Sequence, residues 1–357
     1  MGSIVFIIGG MQRDGAERVI SILADDFLKR NWEVYIITLL NENIEYDIDN
    51  QINIINLCGK NTSYLSRTPY WIFNLRKEIK KIRPTIMVSF VARINVLSLI
   101  ATIGVKCRKV ISERNDPKFD GRSIVTKYAT YITYQMADCI IFQTKRAQNS
   151  FLNSIIKKST VILNPIIVQT KAVSPEKRNK KIVNIGRLEK QKNQRLLIEA
   201  FRIVYEKFPE YKLYIYGKGS LEPELKVLTK KIGLENAVLF PGSYMDIHYK
   251  ISDAQLFVLS SDYEGLSNAL MEAMMMGLPC ISTECAGSDE IIKNGENGVL
   301  VPVGNKNKLA RAMIELIENE EKRNKIGLEA IASSESFLEQ NIICEWRSAI
   351  ENTTIYS

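Results

Sequence analysis

Two glutamates, Glu264 and Glu272, lie where a predicted strand passes into a predicted helix. Residues 255–259 form a short apolar run typical of a buried parallel strand, and the strong helix formers of Asn268–Met276 predict a helix after it. The amides before such a helix stabilise a phosphate or sugar oxygen, because the positive end of the helix dipole lies there. Glu264 falls in the turn, and Glu272, eight residues later, lies about one turn into the helix. The pattern indicates either a ligand site or two solvated glutamates.

A second pair, Arg187 and Lys192, follows another predicted strand, residues 182–185. Because the carboxyl ends of parallel strands meet at one edge of a sheet, this pair is expected at the same edge as Glu264. A planar guanidinium and a compact ammonium together neutralise a diphosphate. An exposed arginine or lysine taken alone is more often simply solvated. The shared edge favours a site for a diphosphate.

Short apolar runs alternate with amphipathic segments along the whole chain. The runs predicted to be strands are residues 4–8, 34–40, 52–57, 86–90, 109–112, 139–143, 160–163, 182–185, 213–216, 238–240, 255–259, 280–282 and 299–303. This alternation predicts α/β domains with parallel sheets and helices on both faces. The pattern loosens between residues 164 and 178, which we interpret as a linker. We therefore predict two doubly wound, Rossmann-like domains, residues 1–172 and 173–336, that face each other across a cleft.

Composition excludes several classes of protein. The chain has 357 residues, of which 46% are apolar and 25% charged, as expected for a globular protein with sizeable cores. No apolar run reaches the length of a membrane-spanning helix and no signal-peptide pattern opens the chain, so we predict a cytoplasmic protein. The six cysteines show no C-x-x-C spacing and are expected to be reduced. The single histidine, His248, excludes a multi-histidine metal site, and we expect no metal at Asp47 and Asp49.

Positive charge is concentrated in one region. Residues 51–170 contain 19 lysines and arginines against 5 aspartates and glutamates, a balance of +14, whereas the net charge of the chain is +8. Such a region attracts phosphates of nucleic acid, of an anionic membrane or of a diphosphate-bearing substrate. No RNA-binding pattern accompanies it, so we expect no nucleic-acid partner. Within it, residues 64–83 interleave aromatic and basic residues at helical spacing, which indicates either a helix at a bilayer surface or a core-packed helix.

Ordered motifs along essentially the whole chain resemble those of the retaining GT-B glycosyltransferases of family 4, also called group 1. They are Gly-Ala-Glu-Arg at 15–18, G-R-L-x-x-x-K at 186–192, Y-G-K-G at 216–219, F-P-G at 240–242, the Glu264 and Glu272 pair, G-L-P at 277–279 and E-N-G-V-L-V at 296–301. Residues 112–117 and 142–144 further resemble the subgroup that extends polyprenyl-diphosphate-linked oligosaccharides in bacterial surface polysaccharide synthesis.

The resemblance implies a role for each matching residue. Arg187 and Lys192 would hold the donor diphosphate, Glu264 would contact the donor sugar, and Glu272 the ribose. The phosphate cradle would be completed by the amides of Gly15, Leu266, Ser267 and Asn268. Gly186 would also belong to the donor-binding residues. The resemblance also implies that the helix in residues 337–357 packs back onto the first domain, with Trp346 as its anchor.

The acceptor side is less well defined by the resemblance. Many relatives use a first-domain histidine at the reacting centre, whereas His248 lies in the second domain and is expected to be structural. Asp14 stands where the family often has glycine. The first-domain candidates for the acceptor side remain five residues: Arg18, Arg93, Asn95, Arg114 and Asn115.

Together these observations predict a hexosyltransferase. The expected reaction moves a hexose or N-acetylhexosamine, of galactose type, from a UDP-sugar to a polyprenyl-diphosphate-linked glycan, with retention and without a required metal or other cofactor. The enzyme is expected on the inner face of the plasma membrane, in contact with its anionic surface. The alternatives are a GT-B enzyme with a soluble acceptor, a sugar-nucleotide epimerase, and a non-catalytic partner of a transferase.

Overall fold

The computed structural model describes residues 2–12, 15–59, 64–114, 121–285 and 287–352, with backbone alone at 64–66. Asp14 and Asn115 lie outside the described residues. The chain forms two compact units, one of Met1–Pro165 with Gln340–Ser357 and one of Ile166–Glu339. Each unit contains a parallel sheet covered by helices, so the predicted α/β class with two Rossmann-like domains is confirmed.

The sheet of the first unit has, within the described ranges, seven parallel strands in the order β3-β2-β1-β4-β5-β6-β7. The strands are β1 (Ser3–Ile8), β2 (Glu33–Thr38), β3 (Asn53–Asn56), β4 (Ile86–Phe90), β5 (Arg108–Glu113), β6 (Cys139–Phe142) and β7 (Ser159–Val161). The helices between them are α1 (Gly15–Lys29), α2 (Tyr64–Ile82), α3 (Ala92–Ala101), α4 (Ile124–Thr133), α5 (Lys145–Gln148) and α6 (Asn153–Ile156). A 3₁₀ turn, Tyr134–Met136, extends α4.

Strand β1 shows why these apolar runs become central strands. Ile4, Phe6 and Ile8 pack into one hydrophobic cluster, and Val5 and Ile7 pack into the cluster on the other side of the sheet. Because successive side chains of a strand point to opposite faces, a strand covered on both faces requires an unbroken apolar run.

The second unit contains, in its described part, six parallel strands in the order β10-β9-β8-β11-β12-β13. They are β8 (Asn179–Ile185), β9 (Lys212–Tyr216), β10 (Val238–Gly242), β11 (Ala254–Leu259), β12 (Cys280–Thr283) and β13 (Val299–Val301). The helices are α7 (Gln194–Lys207), α8 (Glu222–Lys231), α9 (Ile247–Ile251), α10 (Asn268–Met276), α11 (Ser288–Ile291), α12 (Lys306–Glu318) and α13 (Glu320–Ser333). Short 3₁₀ turns cover Pro175–Lys177, Lys190–Lys192 and Ser334–Phe337.

The last helix, α14 (Glu339–Glu351), packs in the first unit. Ile342, Trp346 and Ile350 recur every four residues and join the same cluster as strand β1. The ring of Trp346 stacks on Phe90 with 5.5 Å between centroids. Arg108 at the start of β5 donates from Nε to the carbonyl of Ile350 at 2.8 Å and so satisfies one of the last carbonyls of the helix.

The boundary between the units lies at Pro165, before the predicted boundary at 172/173. Ile166 already donates its amide to the Phe337 carbonyl at 3.2 Å, and Ala172 donates to the Met276 carbonyl at 2.9 Å. The segment that looks like a linker in the sequence is therefore bound to the second unit by backbone hydrogen bonds. A loose composition does not reveal such pairing.

Helix α2 packs its apolar stripe into the protein. Trp71, Leu75 and Ile79 are fully buried against the sheet, whereas Lys77 and Lys80 are exposed. The structure therefore shows α2 packed on the core through one stripe, while Tyr70 and Phe73 on the same helix are exposed. Over the stretches that the structure describes, we find no helix with both the length and the apolarity needed to cross a bilayer.

Candidate functional site

The carboxylate of Glu264 and the ammonium of Lys192 are in direct contact in the second unit. Lys192 ends the 3₁₀ turn that follows β8, and Glu264 lies in the turn after β11. The Lys192 Nζ atom lies 2.5 Å from Glu264 Oε1, and Ser261 donates from Oγ to the same oxygen at 2.6 Å. The side chains of Lys192 and Glu264 are 16% and 7% exposed, so the charges are largely shielded from water. This places a positioned cation at the carboxyl edge of the sheet.

The loop that carries Lys192 is held in one conformation. A Cβ at Gly186 would lie 3.3 Å from Lys192 Cδ, so the lysine stem passes over a position that has no side chain. Asn193 adopts φ 42 and caps α7 by accepting the amide of Leu196 at 3.1 Å. Its Nδ2 donates to Asp262 Oδ1 at 2.7 Å. The cap thus fixes the helix start and joins it to the Glu264 turn.

The two turns are also connected through the backbone. Asp262 donates its amide to the Gln191 carbonyl at 2.9 Å, and Gln191 donates from Nε2 to the Tyr263 carbonyl at 3.0 Å. Ser260 donates from Oγ to the Lys192 carbonyl at 2.9 Å. Because these bonds link both loops, the lysine and the glutamate are positioned together before any ligand binds.

Glycines let a third loop approach the same edge. Gly217 has φ 141, and a Cβ on it would lie 2.0 Å from the Gly186 carbonyl oxygen. A Cβ on Gly219 would lie 2.4 Å from the Leu188 carbonyl oxygen. The loop after β9 therefore packs directly against the backbone around Arg187, whose side chain is exposed. This packing explains why the Y-G-K-G motif has glycine, which lacks a side chain, at positions 217 and 219.

Helix α10 begins at Asn268, where the sequence predicts a helix start. Ser267 accepts the amide of Leu270 at 3.4 Å through its side chain, and α10 runs over the predicted residues Asn268–Met276. Leu266 and Ser267 are buried, and Asn268 is half-buried at the first position of the helix. These three residues, expected to cradle a phosphate, thus lie together at the positive end of the helix dipole.

Glu272 lies on α10 beside the histidine of the second unit. His248 on α9 is 6% exposed, and its Nε2 lies 3.3 Å from Glu272 Oε2. The amide of Gln169 donates to His248 Nδ1 at 3.2 Å. Nothing in the spacing of His248 and Glu272 along the sequence relates α9 to α10, so this contact could not be predicted.

Three first-unit candidates lie on helices. Gly15 is the first residue of α1 and Arg18 lies in its first turn, both half-buried. Arg93 lies at the start of α3, with its guanidinium carbon 5.4 Å from the centroid of the Trp71 ring. Arg18 and Arg93 remain the acceptor-side candidates that reach solvent in the described part of the chain, and Asn115 falls outside that part.

Asn95 belongs to the interior of the first unit. Its side chain is fully buried and donates to the Ser112 carbonyl at 2.9 Å and to the Tyr134 hydroxyl oxygen at 3.0 Å. Ser89 donates to its Oδ1 at 2.8 Å. Since a buried amide needs such partners, these bonds give Asn95 a structural role in place of the expected contact with an acceptor.

Arg114 is also interior, contrary to the expectation for the acceptor side. It is 6% exposed and donates to Asn164 Oδ1. Burial lowers the pKa of Arg114 to about 9, and nearby Glu17 and Glu113 oppose that shift. A polar residue at the end of a strand is recognisable in the sequence, but the protein atoms that cover it are not.

The acidic pair Asp47 and Asp49 lies in a loop of the first unit. Asp49 accepts the amide of Gln51 on Oδ1 at 2.9 Å, which is a local turn. Among the residues with described placement, no group of three histidine, cysteine, aspartate or glutamate side chains is arranged to hold a metal ion.

The fold defines the class of protein. The chain aligns with the Anabaena protein Alr3699/HepE, a structure described as a complex with UDP and glucose, at a TM-score of 0.84 over 98% of this chain and 100% of that chain with 19% identity. The two Rossmann-like units thus form a GT-B fold.

A family model matches the second unit. Residues 168–332 match the model described as glycosyl transferases group 1. The chain is similar to two transferases of Campylobacter jejuni subsp. jejuni serotype O:2. The first is N-acetylgalactosamine-N,N'-diacetylbacillosaminyl-diphospho-undecaprenol 4-alpha-N-acetylgalactosaminyltransferase, 28% identical over 90% of this chain and 91% of the relative. The second is GalNAc-alpha-(1->4)-GalNAc-alpha-(1->3)-diNAcBac-PP-undecaprenol alpha-1,4-N-acetyl-D-galactosaminyltransferase, 26% identical over 98% of both chains.

Proposed function

We propose that this glycosyltransferase moves a hexose or N-acetylhexosamine from a UDP-sugar to a polyprenyl-diphosphate-linked glycan, with retention of anomeric configuration. The contact between Lys192 and Glu264 carries the proposal, because it fixes a cation beside a carboxylate at the carboxyl edge of the sheet. The names of the two Campylobacter relatives support a lipid-linked acceptor and a galactosamine-type sugar.

In the proposed reaction, an acceptor hydroxyl oxygen forms a bond to the anomeric carbon of the donor sugar. The bond from that carbon to the diphosphate oxygen breaks, UDP leaves, and the hydroxyl proton passes to the departing diphosphate. Lys192 and Arg187 stabilise the negative charge that builds on this leaving group, which is the larger electrostatic task in such a transfer. Glu264 accepts a hydrogen bond from the sugar and orients it.

Glu264 acts here as a positioning carboxylate and not as the acid of a glycosidase pair. Its Oε1 atom accepts from Ser261 and contacts Lys192, while its Oε2 atom lies 3.4 Å from Gln191 Nε2. These contacts fix the carboxylate in place, and a carboxylate accepts hydrogen bonds from sugar hydroxyls.

We place the reaction at the inner face of the plasma membrane, with the anionic bilayer surface as a partner. The lipid-linked acceptors in the names of the relatives support this placement. The balance of +14 in residues 51–170 supports attraction to anionic headgroups and to the acceptor diphosphate.

A thermal-shift screen of nucleotide sugars tests the donor. UDP-N-acetylgalactosamine or UDP-galactose at 100 times its dissociation constant should add about 2.7 kcal/mol to the stability of the second unit, which corresponds to roughly 5–10 °C in Tm. GDP- and CMP-sugars are the matched controls and should give no comparable shift.

The anomeric configuration of the product, measured by NMR, tests retention. Turnover of the UDP-sugar to its epimer without acceptor would identify an epimerase instead. A screen in which no UDP-sugar raises Tm contradicts the proposal.

A further inference from the structure

Helix α4 carries four large apolar side chains that face solvent. Ile124 is 75% exposed, Val125 78%, Tyr128 66% and Ile132 70%. At about 100° per residue, these positions fall within roughly 100° of the helix circumference and form one continuous stripe. We call this stripe the α4 face. Single exposed apolar residues are ordinary, whereas four on one helix face mark a binding surface.

The opposite side of α4 is already packed. Thr130 and Thr133 are buried, and the Ser123 side chain caps the helix by accepting the Thr126 amide at 3.2 Å. Just before the cap, Arg122 lies 3.2 Å from the buried carboxylate of Glu113. The helix is therefore anchored at its start and along its inner side, and the exposed stripe is not part of the unit's own core.

The charges around the α4 face indicate its partner. Lys127 is exposed in the same turns as Val125 and Tyr128, and residues 51–170, a stretch of the sequence that includes α4, have a balance of +14. A second copy of this chain would bring the same positive surface against itself. An anionic bilayer offers negative headgroups for the lysine, an apolar layer for the isoleucines and valine, and an interface suited to tyrosine.

We propose that the α4 face inserts shallowly into an anionic bilayer. The inference deepens the proposed function and rests on it, because a lipid-linked acceptor has to be met at the membrane surface. It also moves the main membrane contact from residues 64–83 to α4. In α2 the stripe of Trp71, Leu75 and Ile79 is buried and Tyr70 and Phe73 are exposed, whereas all four side chains of the α4 face are exposed.

Co-sedimentation with vesicles tests the α4 face. Wild-type protein should bind vesicles of phosphatidylcholine with roughly one third phosphatidylglycerol, and the Val125→Ser/Ile132→Ser variant should bind at least about tenfold more weakly. Lys127→Glu should weaken binding mainly at low salt, because screening removes the headgroup attraction at high salt. The matched control is Val227→Ser/Leu328→Ser, whose positions are 68% and 69% exposed on the second unit.

Three results overturn the proposal. In the first, wild-type protein binds neither anionic nor neutral vesicles. In the second, the Val125→Ser/Ile132→Ser variant binds vesicles as wild type does. In the third, wild-type protein is a dimer that binds no lipid, and this variant is a monomer. The UDP-sugar shift in Tm should be the same in wild type and variant. A wild-type protein without that shift marks failure of the proposed function, whereas an intact shift without vesicle binding marks failure of this inference.

A second inference concerns His248 and rests on the proposed contact of Glu272 with the donor ribose. A backbone amide can only donate, so the bond from Gln169 leaves His248 Nδ1 without a hydrogen. In the neutral ring the hydrogen is then on Nε2, which is in close polar contact with Glu272 Oε2 at 3.3 Å but outside hydrogen-bond geometry. We infer that His248 is a positioning residue that orients the Glu272 carboxylate toward the ribose hydroxyls.

Two conservative variants distinguish the roles of the two ring nitrogens, Nδ1 and Nε2. His248→Gln keeps a donor close to the Nε2 position, and His248→Asn keeps an acceptor close to the Nδ1 position. His248→Asn should raise the Kd for UDP by about tenfold, and His248→Gln should stay within about twofold of wild type. Isothermal titration with UDP and with 2',3'-dideoxy-UDP measures both.

The deoxy nucleotide distinguishes positioning from general damage. It lacks the hydroxyls that Glu272 contacts, so wild type and both variants should bind it equally. A His248→Asn variant that loses both nucleotides to the same extent, or one that binds UDP as wild type does, overturns the inference. Wild-type protein that binds no UDP contradicts the proposed function instead.

Discussion

Replacing Lys192 with alanine is expected to lower kcat for sugar transfer by about 10²–10³-fold. The ammonium is held at the carboxyl edge of the sheet, 2.5 Å from Glu264, where the proposed leaving diphosphate gains charge. Removing it takes away stabilisation that is stronger in the transition state than in the bound donor. Initial rates at saturating UDP-sugar and acceptor measure the effect.

Lys190→Ala is the matched control, since Lys190 is an exposed lysine of the same 3₁₀ turn and should retain wild-type kcat. The Lys192→Ala variant leaves the shielded Glu264 carboxylate with one cation fewer, so its folding has to be checked by circular dichroism. The Lys192→Ala/Glu264→Gln double variant removes that unbalanced charge. A folded Lys192→Ala protein with kcat within threefold of wild type would contradict the assigned site.

Replacing Trp346 with alanine should lower the free energy of unfolding of the first unit by about 3–5 kcal/mol. The indole is fully buried and stacks on Phe90 with an interplanar angle of 19°. Its loss leaves a cavity between α14 and the sheet that the neighbouring side chains fill only in part. Urea unfolding followed by circular dichroism measures the change, with the two units treated as separate transitions.

Cys344→Ala serves as the control because Cys344 is exposed on the same helix and should unfold within about 0.5 kcal/mol of wild type. The Phe90→Ala/Trp346→Ala double variant should lose less than the sum of the single losses, since the rings share one contact. A loss below about 1 kcal/mol for Trp346→Ala would show that α14 adds little to the first unit.

The strands and helices were largely predictable from the sequence. Residues 4–8 are apolar without interruption and residues 86–90 are apolar apart from Ser89, and runs this short and apolar fit strands covered on both faces. Helix α10 begins after Ser267 as predicted, because its cap is a local hydrogen bond between side chain and backbone. Features decided within a few residues can be recognised in a sequence.

The environment of each element was not predictable in the same way. Helices α2 and α4 both present apolar stripes, yet Trp71 is fully buried and Ile124 is 75% exposed. Periodicity shows that a stripe exists but not what covers it. The same holds for Arg114 and Asn95. Their polar side chains suggested contact with an acceptor, but their burial depends on segments distant in the chain.

Residues that orient the site were missed for a related reason. Ser261 and Gln191 contact Glu264, and His248 lies beside Glu272, but each contact joins a residue to a partner fixed by the folded loops. Serine and glutamine are common on loops, so their types carried no signal. The turns that bring them together can be specified from the structure alone.

The position of α14 has a consequence for synthesis on the ribosome. The strands of the first unit emerge before residue 165, but the helix that covers Phe90 follows Ile166–Glu339 in the nascent chain. The early part of the polypeptide therefore keeps this apolar surface exposed while the whole intervening unit is translated. A chaperone that shields this surface during elongation would act on the half of the enzyme that is made first and completed last.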